Sequence, residues 1–321
     1  MSYTPYSAIL KAKGFSGTRI RKVTLNGGFT CPNLDGSKAR GGCTYCDNRA
    51  FSPSAANRSV SIREQLERGM EYQRKHLRAE RFIAYFQTFS GTYAPVDKLR
   101  DLYLQALDHP DVIGLSIGTR PDCITGEIAD LLEEIGRNTF LTLEIGLQSA
   151  HDDTLRRINR AHVYGEFAEA MDLCADRGFD LCIHLMLGLP GERRWQYRAT
   201  ARSLNKWRFH SVKIHPVHVV KGTVLARQYR KGEFQPLEQG EYVAGLVDVL
   251  ERIPMEVGVQ RFTADATGDL LIAPEWCRRK SEIQKAMMEE FTRRGSRQGS
   301  LLGGWSGIRE GSGTGYAEAD A

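Results

Sequence analysis

The sequence predicts an α/β fold, a partial (β/α)6 barrel of the TIM type followed by a C-terminal helical extension. Six apolar segments rich in β-branched residues alternate with segments of helical period. Such alternation is typical of parallel sheets with right-handed crossovers. Five motifs directly follow strand segments, and in a barrel they converge on the mouth at the carboxyl ends of the strands. A doubly wound open sheet has the same elements, but this convergence favours the barrel.

The strands are predicted in six segments that appear apolar on both faces: RKVTLNGG, FIAYFQTF, VIGLSIGT, FLTLEIGLQ, DLCIHLMLGLP and SVKIHPVHVV. Helices are predicted at residues 61–77, 96–107, 125–136 and 164–178, where apolar residues recur three and four positions apart. Ser61 and Thr125 are suited to cap the first turns of their helices. Gly136 and Gly178 lie where a helix gives way to the next strand.

The chain is predicted to contain three parts. Residues 1–232 form the barrel, and residues 233–294 form the extension, with helices in EQGEYVAGLVDVLERI and KSEIQKAMMEEFTRR and one further possible strand in MEVGVQRFT. Residues 295–321 are rich in Gly and Ser, so this tail is expected to be disordered.

Composition places the protein among ordinary globular chains. Its 321 residues are 41% hydrophobic, which is enough to bury a large core. The formal net charge is a modest +5. The N-terminal stretch lacks the pattern of a secretory leader, and no segment has the eighteen apolar residues of a membrane span. We therefore expect a cytoplasmic protein without a membrane partner.

Three of the seven cysteines lie in one short segment, Phe29 to Phe51. Cys43 and Cys46 have the spacing by which a loop places two thiolates on one metal centre, and eleven residues separate Cys31 from this pair. A structural zinc site normally has four protein ligands, whereas three thiolates leave one iron of a cubane cluster open. The other four cysteines are scattered singly and are expected to be packing residues: Cys123, Cys174, Cys182 and Cys277.

The order of the motifs carries a family resemblance. Cys31, Cys43 and Cys46 are followed by GTRPD, EIGLQSAHDDTLRRINRAH and HLMLGLPGE. This series resembles the radical S-adenosylmethionine (SAM) enzymes, in the branch with a lengthened cysteine loop that includes the catalytic subunit of Elongator and a bacterial group of similar length. The usual spacing is three residues then two, whereas here it is eleven then two, and loop closure becomes only slowly more costly with length. The resemblance implies that these cysteines bind a 4Fe-4S cluster and that the enzyme generates a 5′-deoxyadenosyl radical from SAM.

The resemblance also implies a set of residues that bind SAM. Ser90 and Thr92 occupy the place of a Gly-Gly-Glu turn in many relatives, although the Glu is absent here. Gln148 and Arg160 match residues that relatives use around the ribose and the methionine carboxylate, for which a guanidinium fork is suited. Gly188 permits close backbone approach to the cofactor. Glu144 is expected either at this site or paired with an arginine such as Arg120, and His184 is expected to be a core histidine.

A run without acidic residues, from position 193 to 231, indicates a possible RNA surface. Interleaved arginines, lysines and aromatic residues are typical of surfaces that contact phosphates and stack bases. The alternative is a charged helix face beside core aromatics. The residues predicted to contact RNA are Arg194, Arg198, Arg202, Lys206, Arg208 and Lys221.

Together these features predict a tRNA-modifying enzyme, and the resemblance to Elongator-like enzymes points to a wobble-uridine side chain. The expected partners are tRNA and a one-electron donor of the flavodoxin or ferredoxin type. Two alternatives stay open. The first is a small-metabolite enzyme like the oxygen-independent coproporphyrinogen dehydrogenases, which the chain also resembles in GLQS and INR. The second is a non-enzymatic, metal-stabilised RNA-binding module.

Overall fold

A curled parallel sheet forms the frame of the protein, of which the computed structural model describes residues 1–52, 60–264, 266 and 268–302. Seven strands pair in the spatial order β1-β2-β3-β4-β5-β6-β8, and β7 and β9 form a separate antiparallel pair. All six predicted strands are confirmed, and MEVGVQRFT supplies the seventh. In chain order the strands are β1 (Ile20–Leu25), β2 (Arg81–Phe86), β3 (Val112–Thr119), β4 (Phe140–Gln148), β5 (Asp180–Leu187), β6 (Ser211–Pro216), β7 (Val219–Val220), β8 (Gly258–Arg261) and β9 (Leu271–Ala273).

Helices connect successive strands, and the predicted ones are confirmed. The Ser61 side chain accepts a hydrogen bond from the Glu64 amide, and the Thr125 side chain accepts one from the Ile128 amide, so both residues are caps. In chain order the helices are α1 (Tyr6–Ala12), α2 (Asn48–Phe51), α3 (Ile62–Leu77), α4 (Val96–Leu107), α5 (Gly126–Gly136), α6 (Asp152–Arg157), α7 (Tyr164–Cys174), α8 (Arg194–Leu204), α9 (Val224–Arg230), α10 (Gln239–Leu250) and α11 (Lys280–Arg294).

One side chain shows that the sheet curls into a half-barrel. Lys22 lies on β1, at one edge of the sheet, yet its Nζ is 2.9 Å from Oε1 of Gln260 on β8, at the other edge. The two edge strands therefore approach each other across the interior. The strictly sequential strand order also excludes a doubly wound sheet, in which the order reverses.

The two faces of the strands differ in chemistry. Alternate residues of a strand point to opposite faces of the sheet. The outward-facing residues pack against the helices and form the main core, which includes Val23, Leu25, Phe82, Phe86, Leu143, Ile183 and Val212. The inward-facing residues line a cavity and include Lys22, Tyr85, Glu144, His184 and Lys213. The prediction that the strands are apolar on both faces was therefore wrong, because this barrel encloses polar space.

The N-terminal segment covers the amino end of the half-barrel, which the sequence analysis did not predict. Lys13, just after α1, forms a 2.7 Å ion pair with Asp180 at the start of β5. The Val259 amide of β8 donates to the Thr4 carbonyl at 2.8 Å, so the chain entering α1 covers the β8 edge. This helix has only 7 residues, about two turns, which is too short to show a clear period.

The C-terminal extension packs on the barrel. It supplies β8 to the common sheet, and α10 packs against α8 and α11. The first residues of the predicted disordered tail are also packed, because buried Gln298 donates from Nε2 to the Pro254 and Val257 carbonyls at 2.6 and 2.8 Å. Residues 295–302 therefore belong to the packed structure and not to a disordered tail. The rest of the predicted tail, residues 303–321, lies outside the described residues.

None of the helices in the described ranges combines the length and the apolar character that crossing a bilayer requires.

Candidate functional site

A cavity of about 910 Å³ opens between the inner faces of the strands and the cysteine loop. Its volume lies within the range of small-molecule and cofactor sites, about 300–1,000 Å³. Of the predicted cofactor and metal residues, six line this cavity: Cys31, Cys43, Cys46, Glu144, Gln148 and Arg160. The structure therefore brings together most of the residues that the sequence motifs singled out.

The INR motif holds the cysteine loop in place. The Asn33 side-chain amide donates to the Asn159 carbonyl at 2.6 Å, and the Thr44 amide donates to the Ile158 carbonyl at 3.0 Å. In return, the Asn159 side-chain amide donates to the Gly42 carbonyl at 2.8 Å. Asn33 is fully buried. These contacts position a long loop that has no regular secondary structure around its cysteines.

The donor set suits a polynuclear iron–sulfur cluster better than a single zinc ion. Cys31, Cys43 and Cys46 form no disulfides. Three sulfurs on one zinc, each at about 2.3 Å from the metal, would lie roughly 3.8 Å apart. In the described part of the chain, the three loop sulfurs are not among the ligand sets whose atoms all lie within 4.8 Å of one another. Burial raises the pKa of the Cys31 thiol, and iron bound there would take the place of the proton.

Arg160 lies between the cysteine loop and β4. It is only 8% exposed, with Nη1 3.6 Å from Cys43 Sγ and Nη2 2.9 Å from the Gly146 carbonyl oxygen. Its Nε has no hydrogen-bond partner among the described residues. Arg160 is therefore a buried wall residue of the cavity rather than a solvated surface residue.

Gly146 is required for this arrangement. A Cβ at this position would lie 2.7 Å from Arg160 Nη2 and 2.8 Å from Gln148 Nε2, so a side chain would displace both groups. Gln148 itself has a φ of +72° and lies where the register between β4 and β5 shifts. The shift directs the Gln148 side chain to the cavity beside Arg160.

Arg120 adds a second guanidinium to the same wall. It forms a bidentate pair with Asp122, with both N···O distances at 2.9 Å, and its buried Nη1 has no hydrogen-bond partner within the described residues. It does not pair with Glu144, which was one of the two predicted alternatives. Two buried guanidiniums beside the cysteines suit an anionic group such as a carboxylate.

Glu144 is the centre of a buried cluster on the inner face of the barrel, halfway along the strands. The cluster consists of Glu144, Lys22, Tyr85, His184 and Lys213, and we call it the floor cluster. The carboxylate of Glu144 contacts Lys22 Nζ and Lys213 Nζ at 2.5 Å, Tyr85 OH at 2.6 Å and His184 Nε2 at 2.9 Å. Burial alone would raise the pKa of Glu144, but Lys213 and Lys22 hold it well below its usual value. Glu144 is thus saturated by protein groups.

Three predicted cofactor residues do not line the cavity. Ser90 and Thr92 are buried, and Thr92 Oγ1 lies 2.6 Å from both Thr119 Oγ1 and the Cys123 carbonyl oxygen. Gly188 has a φ of +90°, and a Cβ there would lie 3.0 Å from Leu237 of the extension. Turns at the strand ends pack these residues against neighbouring segments rather than against the cavity.

The predicted RNA residues do not form one surface. Arg194 Nε and Arg198 Nε each lie 2.9 Å from Oδ2 of Asp248 on α10, while Arg202 is exposed. The eleven residues of α8 span about 16 Å, leading from the carboxyl end of β5 towards the amino end of β6. Exposed Lys206 and Arg208 therefore lie near the amino ends of the strands. Exposed Lys221 lies near the carboxyl ends of the strands, because Gly222 next to it is close to Asp47 and Arg49 of the cysteine segment.

Most of the aromatic residues in this run belong to the core. Tyr197 and Phe209 are buried, and Trp207 packs edge-on against Phe167 while its Nε1 donates to Asp172 at 2.7 Å. Trp195 differs, with 59% of its surface exposed. The alternative interpretation of charged helix faces beside core aromatics therefore describes most of this segment.

Sequence reasoning missed most of the floor cluster. Lys22 is not among the predicted site residues, and Lys213 lies within the basic run but not among its predicted RNA contacts. The available signal was a lysine in the middle of a strand between apolar neighbours, as in Val212-Lys213-Ile214. Such a residue points to the opposite face from its neighbours, which indicates a polar interior.

Glu192, at the end of GLPGE, is expected to make stability depend on pH. Its carboxylate accepts from Ser149 Oγ, and burial raises the pKa of Glu192 to about 7. A raised folded-state pKa stabilises the folded protein below the unfolded pKa, and this stabilisation is lost as pH rises through about 7. Urea unfolding at pH 5 and pH 8 should show that Glu192→Gln removes up to about 3 kcal/mol of this loss. An unchanged pH dependence in the variant would contradict this origin.

A half-barrel whose first strand leads into a three-cysteine loop, with buried arginines beside it, defines the class of radical SAM enzymes. The chain belongs to the radical SAM superfamily. The model of the Radical SAM superfamily matches residues 37–204, and that of the Radical_SAM C-terminal domain matches residues 209–293. Proteins of this superfamily use a 4Fe-4S cluster and SAM, which confirms the predicted cofactors.

Individual relatives refine this assignment. The chain is 39% identical over 286 residues to protein YtqA of Bacillus subtilis (strain 168), covering 89% of each chain. It is 31% identical over 157 residues to the tRNA uridine(34) acetyltransferase of Dehalococcoides mccartyi (strain CBDB1), covering 48% of this chain and 33% of that one. The structure of an archaeal Elp3 from Methanocaldococcus infernus superposes with a TM-score of 0.64 at 16% identity, over 88% of this chain and 64% of that one. The Elongator-like resemblance and the barrel fold are thereby confirmed.

Proposed function

We propose that this radical SAM enzyme modifies tRNA at a wobble-uridine side chain. The observation that carries the proposal is the cavity itself, whose wall joins the cysteine loop to a polar inner face and beside which the cations Arg49 and Lys221 are exposed. The similarity to a tRNA uridine(34) acetyltransferase supports the choice of substrate. When bound, the cluster and SAM supply a carbon-centred radical that removes hydrogen from the substrate.

Different residues of the chain hold the cluster and orient SAM. We assign the cluster to Cys31, Cys43 and Cys46, which the Asn33 and INR contacts hold at the mouth of the cavity. Gln148 and Arg160 line the wall beside Cys43 and are suited to orient a bound SAM.

Arg160→Ala is expected to weaken SAM binding by about 1.5–3 kcal/mol, the range for a lost charge-assisted hydrogen bond. Equilibrium titration of the reconstituted protein with SAM measures this directly. Arg156→Ala is the matched control, because that arginine is 69% exposed and pairs with Asp153 on the same helix. Equal SAM affinity in both variants would leave Arg160 as a support of the cysteine loop alone.

The mouth offers cationic groups for an RNA backbone. Arg40 in the cysteine loop and Lys221 after β7 are exposed, and the Arg49 side chain is 75% exposed. Gly222 lies close to Arg49, with 3.6 Å between a Cβ built on the glycine and Arg49 Nη2, so Lys221 and Arg49 belong to one rim. Lys206 and Arg208, which we call the distal pair, lie near the amino ends of the strands. They serve as control cations far from the mouth.

The proposed substrate is tested in cells. Nucleosides from the total tRNA of cells with and without the protein are compared by mass spectrometry. We expect one modified uridine to decrease and a precursor to accumulate when the protein is absent. Identical nucleoside profiles would contradict a tRNA substrate and favour a small metabolite.

Binding in vitro tests where the RNA lies. Neutralised phosphates release condensed counterions, so tRNA affinity should fall steeply with salt. Replacing Arg40 and Lys221 together by Gln should lower tRNA affinity and flatten the salt dependence, whereas replacing Lys206 and Arg208 by Gln should change neither. The reverse result would place the RNA at the distal pair.

A further inference from the structure

The floor cluster lies in the cavity but has no part in the proposed cofactor site. His184 and Lys213 are register partners on β5 and β6, so their side chains lie next to each other on the inner face. Both contact the same oxygen, Oε2 of Glu144, at 2.9 Å and 2.5 Å. Both also line the cavity. A fully buried carboxylate thus fixes an imidazole and an ammonium side by side.

The shared carboxylate determines which hydrogen-bonding groups remain for a ligand. Because ionised Glu144 can only accept, His184 Nε2 carries the proton that it donates. Burial lowers the pKa of His184, so the ring is neutral and Nδ1 keeps its lone pair. Lys213 Nζ donates to Glu144 and to Tyr85 OH at 3.2 Å. An ammonium has three donors, so one further N–H of Lys213 is available beside the acceptor of His184.

An adjacent donor and acceptor match one particular chemical pattern. A carbonyl next to an N–H is complementary to this pair, because its oxygen accepts where Lys213 donates and its N–H donates where His184 accepts. The O4 and N3–H edge of uracil is such a group. Cytosine presents the reverse, because its N4 amino group donates and its N3 accepts. With the base held in one orientation by its sugar and phosphate, the paired groups therefore distinguish the two pyrimidines.

We propose that His184 and Lys213 form a base-recognition subsite that holds uracil through its O=C–N–H edge, an inference that rests on the proposed tRNA function. Lys213 Nζ donates to the carbonyl oxygen, and His184 Nδ1 accepts from N3–H. The subsite lies inside the barrel, so the nucleotide enters by extrusion from its stack. Glu144 and Tyr85 act as positioning residues, since they contact His184 and Lys213 rather than the base.

The test uses anticodon stem-loop RNAs that differ only in uridine or cytidine at the wobble position. Their affinities for the cluster-loaded, SAM-bound protein are measured without reductant, so that no turnover contributes. The wild-type protein should prefer uridine by about tenfold, as expected for a matched pair of hydrogen bonds. His184→Phe removes the acceptor of the ring, and Lys213→Met removes the donor. Each variant should reduce the preference to about twofold or less while binding the cytidine RNA as the wild type does.

His151→Gln is the control, because His151 immediately precedes α6 and lies outside the cavity lining, and it should retain the full preference. Thermal melting verifies that the variants are folded, and the two variants provide independent tests if one is unstable. Equal wild-type affinity for the two RNAs, or an unchanged preference in the folded variants, overturns the subsite and leaves the proposed function standing. Failure of the wild type to bind either RNA overturns both.

Discussion

Cys43→Ala is expected to abolish cluster binding. Each of the three loop cysteines supplies one thiolate, and a 4Fe-4S cluster held by three ligands has none to spare. Cys43 is buried beside Arg160, whose Nη1 lies 3.6 Å from its sulfur. After anaerobic reconstitution, the variant should fall from about four irons per chain to background, with loss of the visible absorption of the cluster.

Cys174→Ala is the matched control for this experiment. Cys174 is equally buried, but it ends α7 and belongs to the hydrophobic core. Its removal should leave the iron content unchanged at a modest loss of stability. Full iron content in the Cys43→Ala protein would contradict the assignment of the ligands.

Glu144→Ala is expected to destabilise the fold by about 3–5 kcal/mol, the range for breaking a buried ion pair. The substitution leaves Lys22 and Lys213 facing each other inside the barrel without their shared carboxylate. Lys22 also connects β1 to Gln260 on β8, so the contact between the two edges of the sheet weakens as well. Urea unfolding at neutral pH measures the change in the free energy of unfolding.

The comparison for this variant is Glu134→Ala. Glu134 pairs with Arg100, but its side chain is 56% exposed, and exposed ion pairs contribute about 0–1 kcal/mol. A Glu144→Ala protein no less stable than Glu134→Ala would show that the lysines of the floor cluster find other partners or lose their protons.

The barrel and the cluster site were accessible from the sequence because both depend on local patterns. The alternation of strands and helices follows from the side-chain periods of about 2 and 3.6 residues, which any window of the chain displays. Sequential strands that pair as neighbours then determine the order of the sheet. The Cys43 and Cys46 pair has its spacing within one loop, so the metal-binding pattern needed no knowledge of distant residues.

Local patterns were less informative where a residue's role depends on a distant partner. The basic run from position 193 to 231 is continuous in sequence, but α8 carries it from the carboxyl ends of the strands to their amino ends. Asp248, about fifty positions later, engages Arg194 and Arg198. Basic residues that are continuous in sequence therefore do not form one basic surface here.

The sequence alone thus determined the strands, the helices and the cysteine loop, since each is set by residues close together in the chain. Tertiary structure alone decided which charges meet inside the barrel. Lys22, Glu144 and Lys213 come from β1, β4 and β6, and they approach only because the sheet curls. Burial there makes an isolated charge costly, so three charged residues from distant positions form one cluster.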